Sequence, residues 1–422
     1  MKYKKIILKN GLPVILVPIK ETQVASVVVL VGTGSRYEND DEAGASHFVE
    51  HMLFKGTKKR QTALKISEEL DSIGGLFNAF TSKDRTGYFA KVDAKHLEKA
   101  LDVISDIYLN SKIDVKEIEK ERGAILQEMS MYEDMPMSMV TDVFERLLYT
   151  KNPLGRDIIG TKKTISSLNR KTLLAYMHKF YLADNTVLCV AGKFNEKKLI
   201  SQLNKYFSKI KKGEKSEFKK VIEKQSQSEI KIKFKKTDQT HFVLGLRSLD
   251  EDHKDRYILT LMGIILGGNM SSRLFTEVRE KKGLAYYIRT GTEYFKGCGY
   301  IATQAGVKHS NLELTIKTVL RECRKMTNQK VSVKELQKAK DYISGKKVIG
   351  LESSDEMAMF FANQEIRKVK IELPEEVLRK ILKVTSEDIL RIAKLVFQNK
   401  KLNLAIIGPH NNSERFRKIL KF

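Results

Sequence analysis

The chain has 422 residues, 41% hydrophobic and 31% charged, a length and apolar content that point to two or three globular domains rather than one core. Its formal net charge of +25 suits an anionic partner, but the lysines are scattered and form no Arg/Lys-aromatic block, so a solvated basic surface is expected and not a nucleic-acid site. Three cysteines without a C-x-x-C pair argue against a disulfide framework or a thiolate zinc site and for a reducing, cytoplasmic compartment.

Lys2, Lys4 and Lys5 resemble the basic start of a signal peptide, yet Lys9, Asn10 and Pro13 interrupt any hydrophobic region after them. No stretch approaches the roughly 20 uncharged apolar residues of a membrane span. Ile6-Ile7-Leu8, the turn pair Asn10-Gly11 and Val14-Ile15-Leu16-Val17 predict a hairpin. Residues 25–31 read as a buried strand. Gly44-Ala45-Ser46 opens a helix that Gly56 ends, and residues 63–73 form an amphipathic helix closed by Gly74-Gly75. Strands at 76–81 and 86–92 follow, then helices at 95–109 and from 115 to about 131.

The second half repeats this order. Strands are expected at 241–246, 283–290 and 299–304, and helices at 256–266, 311–326 and 333–348. Glu117 in Glu-Ile-Glu-Lys matches Glu335 in Glu-Leu-Gln-Lys, and Gly75 matches Gly283. A recurrence at about 210 residues implies two homologous, duplicated α+β domains rather than a solenoid, whose period is about 20–50. Residues 211–229 are charged, rich in Ser and Gln, and lack an apolar period, so they read as the linker. The expected division is 1–210, linker 211–229 and 230–422.

The chemistry concentrates in His47-Phe48-Val49-Glu50-His51. Histidines four apart on a helix lie one turn above each other and can face one metal ion, with a carboxylate between them. A zinc site of the hydrolytic kind needs a third protein ligand. Glu121 and Glu128, seven apart, share one helix face, and Ala124-Ile125-Leu126 between them marks that helix as partly buried. The duplication is an internal control: with Glu117 on Glu335, Glu128 falls opposite Lys346 and Glu121 opposite Ala339. Residues 257–263, opposite the histidine helix, contain no histidine or acid. The fold itself therefore does not require these polar groups.

The order H-x-x-E-H is the inverzincin signature. Residues 44–57 (Gly-Ala-Ser-His-Phe-Val-Glu-His-Met-Leu-Phe-Lys-Gly-Thr), Phe77-Asn-Ala-Phe-Thr81, residues 121–134 and residues 272–286 together resemble the pitrilysin/insulinase-type zinc metallopeptidases. The likeness runs from about Leu8 to the C-terminus and is greatest to short bacterial members related to mitochondrial processing peptidase. It implies that His47, His51 and Glu128 are Zn²⁺ ligands, that Glu50 is the general base, and that Glu121 steadies His51 or the metal site. It also implies that Arg279 and Tyr286 bind the substrate carbonyl and its oxyanion, although a surface arginine and a core tyrosine would show the same spacing. Asn78 and Ala79 would lie on an edge strand that pairs with peptide substrate. The implied protein is a zinc endopeptidase that cuts peptides or unfolded segments in an enclosed, clamshell-like chamber. A homodimer is expected, with a heterodimer with a related subunit as the variant and Arg279 and Tyr286 acting in cis or in trans. The alternative is a non-catalytic peptide-binding or assembly subunit of the same family.

Overall fold

The computed structural model describes residues 2–214 and 216–422; Met1, and Lys215 within the expected linker, lie outside the described residues. The chain forms two compact units. The first holds a six-stranded sheet of β1 (Lys4–Ile7), β2 (Pro13–Pro18), β3 (Val24–Val31), β4 (Leu76–Thr81), β5 (Thr86–Asp93) and β6 (Thr186–Gly192), in the order β1-β2-β6-β3-β5-β4. The second holds a five-stranded sheet of β7 (Glu229–Phe234), β8 (Thr240–Ser248), β9 (Ala285–Phe295), β10 (Cys298–Val307) and β11 (Leu402–Gly408), in the order β7-β11-β8-β10-β9. Without β1 the two orders coincide. In each sheet one pair is parallel, β2 with β6 and β7 with β11, and the remaining pairs are antiparallel. The α+β duplication expected from the sequence is thus present as one topology written twice.

Among the helices that position the site or cover the sheets are α1 (Ala45–Leu53), α2 (Val115–Glu133), α3 (Pro136–Leu148), α4 (Arg256–Gly267), α5 (Val333–Leu351) and α6 (Ser354–Ile366). From Val27 to Val31 β3 reads as an unbroken apolar run because both faces of its sheet are covered. Val27, Val29 and Val31 enter the large core of the first unit, while Val28 and Leu30 face the other way, into a second cluster with Met357, Phe361 and Ile366 of α6. Burying Phe361 alone contributes about 1.5–3 kcal/mol. In the second unit α3 plays the same part: Phe144 packs against Tyr300 at 5.3 Å between ring centroids, and its ring tip fills the space a side chain at Gly245 would need.

Helix α3 precedes residues 211–229 and α6 follows them, so a single cut there does not keep each helix with the sheet it covers. Any amphipathic or apolar helix can cover any apolar sheet face, and its local sequence does not say which one it will meet. From 211 to 228 no helix or strand forms among the described residues. The segment is nonetheless pinned, for the Phe218 ring lies 3.6 Å from the Arg36 guanidinium carbon and 5.5 Å edge-on from Tyr37. Among the described residues no helix is long and apolar enough to cross a membrane.

Candidate metal centre

Helix α1 begins at a backbone position that only glycine adopts readily. Gly44 has φ +95°, and a Cβ there would meet the Ile159 carbonyl oxygen at 2.8 Å. Orphan N–H groups at the helix start are taken by a carboxylate from the preceding loop. Glu38 accepts from the Gly44 N–H (2.8 Å), the Ser46 N–H (2.7 Å) and the Ser46 hydroxyl (2.5 Å). The Ser46 hydroxyl also meets Tyr176 Oη at 2.7 Å, and Tyr176 meets Thr33 Oγ1 at 2.7 Å. This buried network fixes the turn from which His47 projects. Burial raises the Glu38 carboxyl to about 7 in spite of its hydrogen bonds.

One turn further on, the two imidazoles lie 4.6 Å apart between ring centroids. His47 Nε2 is 3.7 Å and His51 Nε2 3.6 Å from the same Glu128 oxygen. His47, His51 and Glu128 each place a ligand atom within 4.8 Å of the other two, and among the described residues no other group of this kind forms. The separations are too long for hydrogen bonds, and the buried His47 Nδ1 has no hydrogen-bond partner. Burial, and then the neighbouring His51, depress His47 to about 3, so its imidazole is neutral and keeps a lone pair. Two imidazole nitrogens and a carboxylate oxygen converging without sharing a proton fit a zinc ion at their centre.

The surrounding groups orient that set. His51 Nδ1 lies 3.0 Å from Glu121 Oε2, and Glu121 Oε1 is 2.7 Å from Lys55 Nζ. Burial alone would raise Glu121, but its hydrogen bonds to His51 and Lys55 outweigh this and hold it below the ordinary carboxylate range. An ionised Glu121 accepts the Nδ1 proton and leaves the Nε2 lone pair of His51 facing Glu128, the usual arrangement behind a metal-bound histidine. Glu50 accepts a hydrogen bond from Thr81 Oγ1 at the end of β4. Burial pushes its carboxyl up, while the Thr81 bond and His51 pull the other way. Glu128 is also raised by burial.

β4 is an edge strand. Phe77 and Phe80 pack on opposite faces, as alternation requires. The Ala79 N–H is engaged by the side-chain carbonyl of its neighbour Asn78 at 2.8 Å, so a peptide pairing there would replace that local bond. In the second unit Arg279 lies on a π-helical turn, Phe275–Glu280, where Lys281 N–H reaches back five residues to the Thr276 carbonyl at 2.9 Å. The guanidinium carbon is 5.4 Å from the centroid of the Tyr286 ring. Tyr286 is 76% exposed, which removes the reading of it as a core tyrosine.

Three residues at this site carry no signal of their own in the sequence. Lys55 and Thr81 sit inside the two quoted motifs but far from their partners along the chain. Glu38 stands in an acidic loop in which Asp40 and Asp41 are exposed and Glu42 is half-buried.

Residues 14–162 match the family model described as insulinase (peptidase family M16), and residues 167–343 match the one described as peptidase M16 inactive domain. An uncharacterized zinc protease of Rickettsia felis is 37% identical over 96% of this chain and 97% of its own. One of Bacillus subtilis is 33% identical over 97% of this chain and 99% of its own. The crystal structure of a protease from Helicobacter pylori superposes with a TM-score of 0.91 at 25% identity, covering 97% of this chain and all of the other. The chain belongs to the insulinase (M16) peptidase family.

Proposed function

We propose that this protein is a zinc-dependent endopeptidase acting on peptides or unfolded segments. The observation that carries this reading is the convergence of His47, His51 and Glu128 with an unpaired, neutral imidazole among them, and with Glu50 on the same helix. These three side chains would hold the zinc, and its zinc-protease relatives support that choice of metal. When bound, zinc supplies Lewis acidity, polarising a carbonyl and easing deprotonation of water.

The residues of the chain do the rest. Glu50 takes the proton of the attacking water on its free carboxylate oxygen and delivers it to the amine that leaves. Its burial brings its proton affinity toward neutral pH, where such transfer is efficient. Asn78 and Ala79 offer main-chain groups to an extended peptide. The π-helical turn and the exposure of Tyr286 support Arg279 and Tyr286, from this or a second copy of the chain, as donors to the developing oxyanion. Two copies, or one with a related subunit, would enclose the peptide. The three cysteines, all buried and free, suit the cytoplasm.

Replacing Glu50 by Gln tests the reading. Zinc content should remain at one per chain while peptide cleavage falls by at least about 10²-fold. Cleavage at the wild-type rate would remove Glu50 from the base role, and absence of zinc from the purified protein would favour the alternative of a non-catalytic subunit.

A further inference from the structure

Thr81 ends β4 on a hairpin that cannot easily move. It pairs with Thr86, and the turn between them is closed by Ser82 N–H to the Arg85 carbonyl (2.8 Å) and Arg85 N–H to Ser82 Oγ (3.1 Å). The turn is held again from outside, by Ser35 N–H on the Ser82 carbonyl (3.2 Å) and Arg36 N–H on the Lys83 carbonyl (2.8 Å). With the backbone fixed, a β-branched side chain has few rotamers left. The terminal torsion of a glutamate, in contrast, is broad and roughly two-fold, so an isolated Glu50 carboxylate has no single orientation. The Thr81 hydroxyl has one hydrogen to donate, and Glu50 Oε2 receives it.

We propose that Thr81 is a positioning residue for the general base: its hydroxyl anchors Oε2 of Glu50 to the rigid end of β4 and leaves Oε1 to take the proton from water. The inference rests on the reading of Glu50 as the base. It adds that the base and the peptide backbone are referenced to one strand, since Asn78 and Ala79 lie on β4 too. A competing explanation is visible in the second unit. There α4, which stands where α1 stands in the first, is joined to the hairpin end of its own edge strand by Thr260 Oγ1 and Tyr294 Oη at 2.9 Å, with no metal group nearby among the described residues. Such a bond can therefore serve the fold alone. A purely architectural bond would show in stability, and a positioning bond shows in kcat.

The test compares Thr81→Val, which keeps the shape and removes the hydroxyl, with Thr81→Ser, which keeps the hydroxyl. In the zinc-loaded protein Thr81→Val should lower kcat by about 10–100-fold, as loss of alignment at a reacting group does. KM should stay within about two-fold and zinc at one per chain, and Thr81→Ser should recover most of the rate. In crystals of metal-free Thr81→Val the Glu50 carboxylate should leave its present orientation. The proposal is overturned by a wild-type kcat in Thr81→Val, by a Ser variant as slow as the Val variant, by loss of zinc in proportion to loss of rate, or by an unmoved carboxylate. Glu50→Gln in the same assay separates the two levels. If Glu50→Gln is inactive and Thr81→Val fully active, only the role of Thr81 fails. If the wild type does not cleave, or Glu50→Gln cleaves as it does, the base assignment fails and Thr81 falls with it.

Discussion

The two units put the same helices in the same places and fill them differently. In the first, α1 presents His47, Glu50 and His51, and α2 presents Glu121 and Glu128. In the second, α4 presents Tyr257, Thr260 and aliphatic residues, and α5 has Ala339 and Lys346 at the positions of the two glutamates. Helices α2 and α5 are both 19 residues long and the strand orders agree, so the polar set is no condition of the topology. Each buried polar atom without a partner costs roughly 1–3 kcal/mol. Helix α1 carries one at His47 Nδ1 and α4 carries none among the described residues, so α1 holds it for a reason other than folding. The second unit departs from regularity elsewhere, in the π-helical turn bearing Arg279, where the first unit has the ordinary helix Ala63–Asp71.

The comparison breaks most decisively if the first unit is given the residue of the second. Glu128→Lys supplies what Lys346 supplies in α5. Metal affinity should fall by roughly 10³-fold or more, since one of three ligands is lost from a site of a kind worth about 10 kcal/mol or more, and a cation faces the ion. Competition with a chelator measures this, and the circular dichroism of the variant should match the wild type because α5 is helical with lysine there. Retention of zinc at wild-type affinity would exclude Glu128 as a ligand.

The opposite side of the comparison is sharpened by Tyr286→Phe and Arg279→Lys. If the second unit contributes donors to the oxyanion, each should lower kcat by about 10²–10³-fold without loss of zinc, the usual range for one such donor. Arg279→Lys keeps the charge and loses the planar fork, so a wild-type rate in that variant would reduce the arginine to a point charge. Wild-type kinetics in both would leave the π-helical turn and the exposed tyrosine without a catalytic reason.

The parts of this site that were legible in the sequence are those fixed by helical period. His47 and His51 are one turn apart and Glu121 and Glu128 two, so their shared faces follow from spacing once a helix is assumed. The hairpin around Asn10-Gly11 and the duplication were legible for the same reason: both are local or repetitive. Illegible were the contacts that bring distant segments together. Nothing in Glu38-Asn-Asp-Asp-Glu42 tells the one buried carboxylate from its exposed or half-buried neighbours, because only the fold places Glu38 against the start of α1. The exchange of α3 and α6 could not be read either, since an apolar helix face is complementary to any apolar sheet. β9 and β10 run on past the ends of the expected 283–290 and 299–304, to Phe295 and Val307, because strand length is set by pairing across the hairpin and not by either strand's own composition.

Glu38 gives the smallest effect and the most specific one, for no carboxylate is described on the N–H groups at the start of α4, where the Asp255 side chain makes no capping bond and the Asp255 N–H donates to His253 Nδ1 at 3.1 Å. Its folded-state value of about 7 lies above the ordinary 4.5, so between those limits the folded protein keeps a proton that the unfolded chain has released. The stability this contributes is full below about pH 4.5 and is lost as pH rises through about 7. His47 acts with the opposite sign. Its folded value of about 3 lies below the ordinary 6.5, so its contribution is present above pH 6.5 and lost as pH falls toward 3. In metal-free protein the two oppose each other between about pH 4.5 and 6.5. Glu38→Gln removes one of them, and the stability of the variant relative to wild type should then climb with pH by up to about 1.4 kcal/mol per unit. Urea unfolding of both metal-free proteins at about pH 5 and pH 7 measures the difference. Parallel curves would mean that Glu38 is ionised in the folded protein at both pH values, held by the N–H groups of α1 against the cost of its burial.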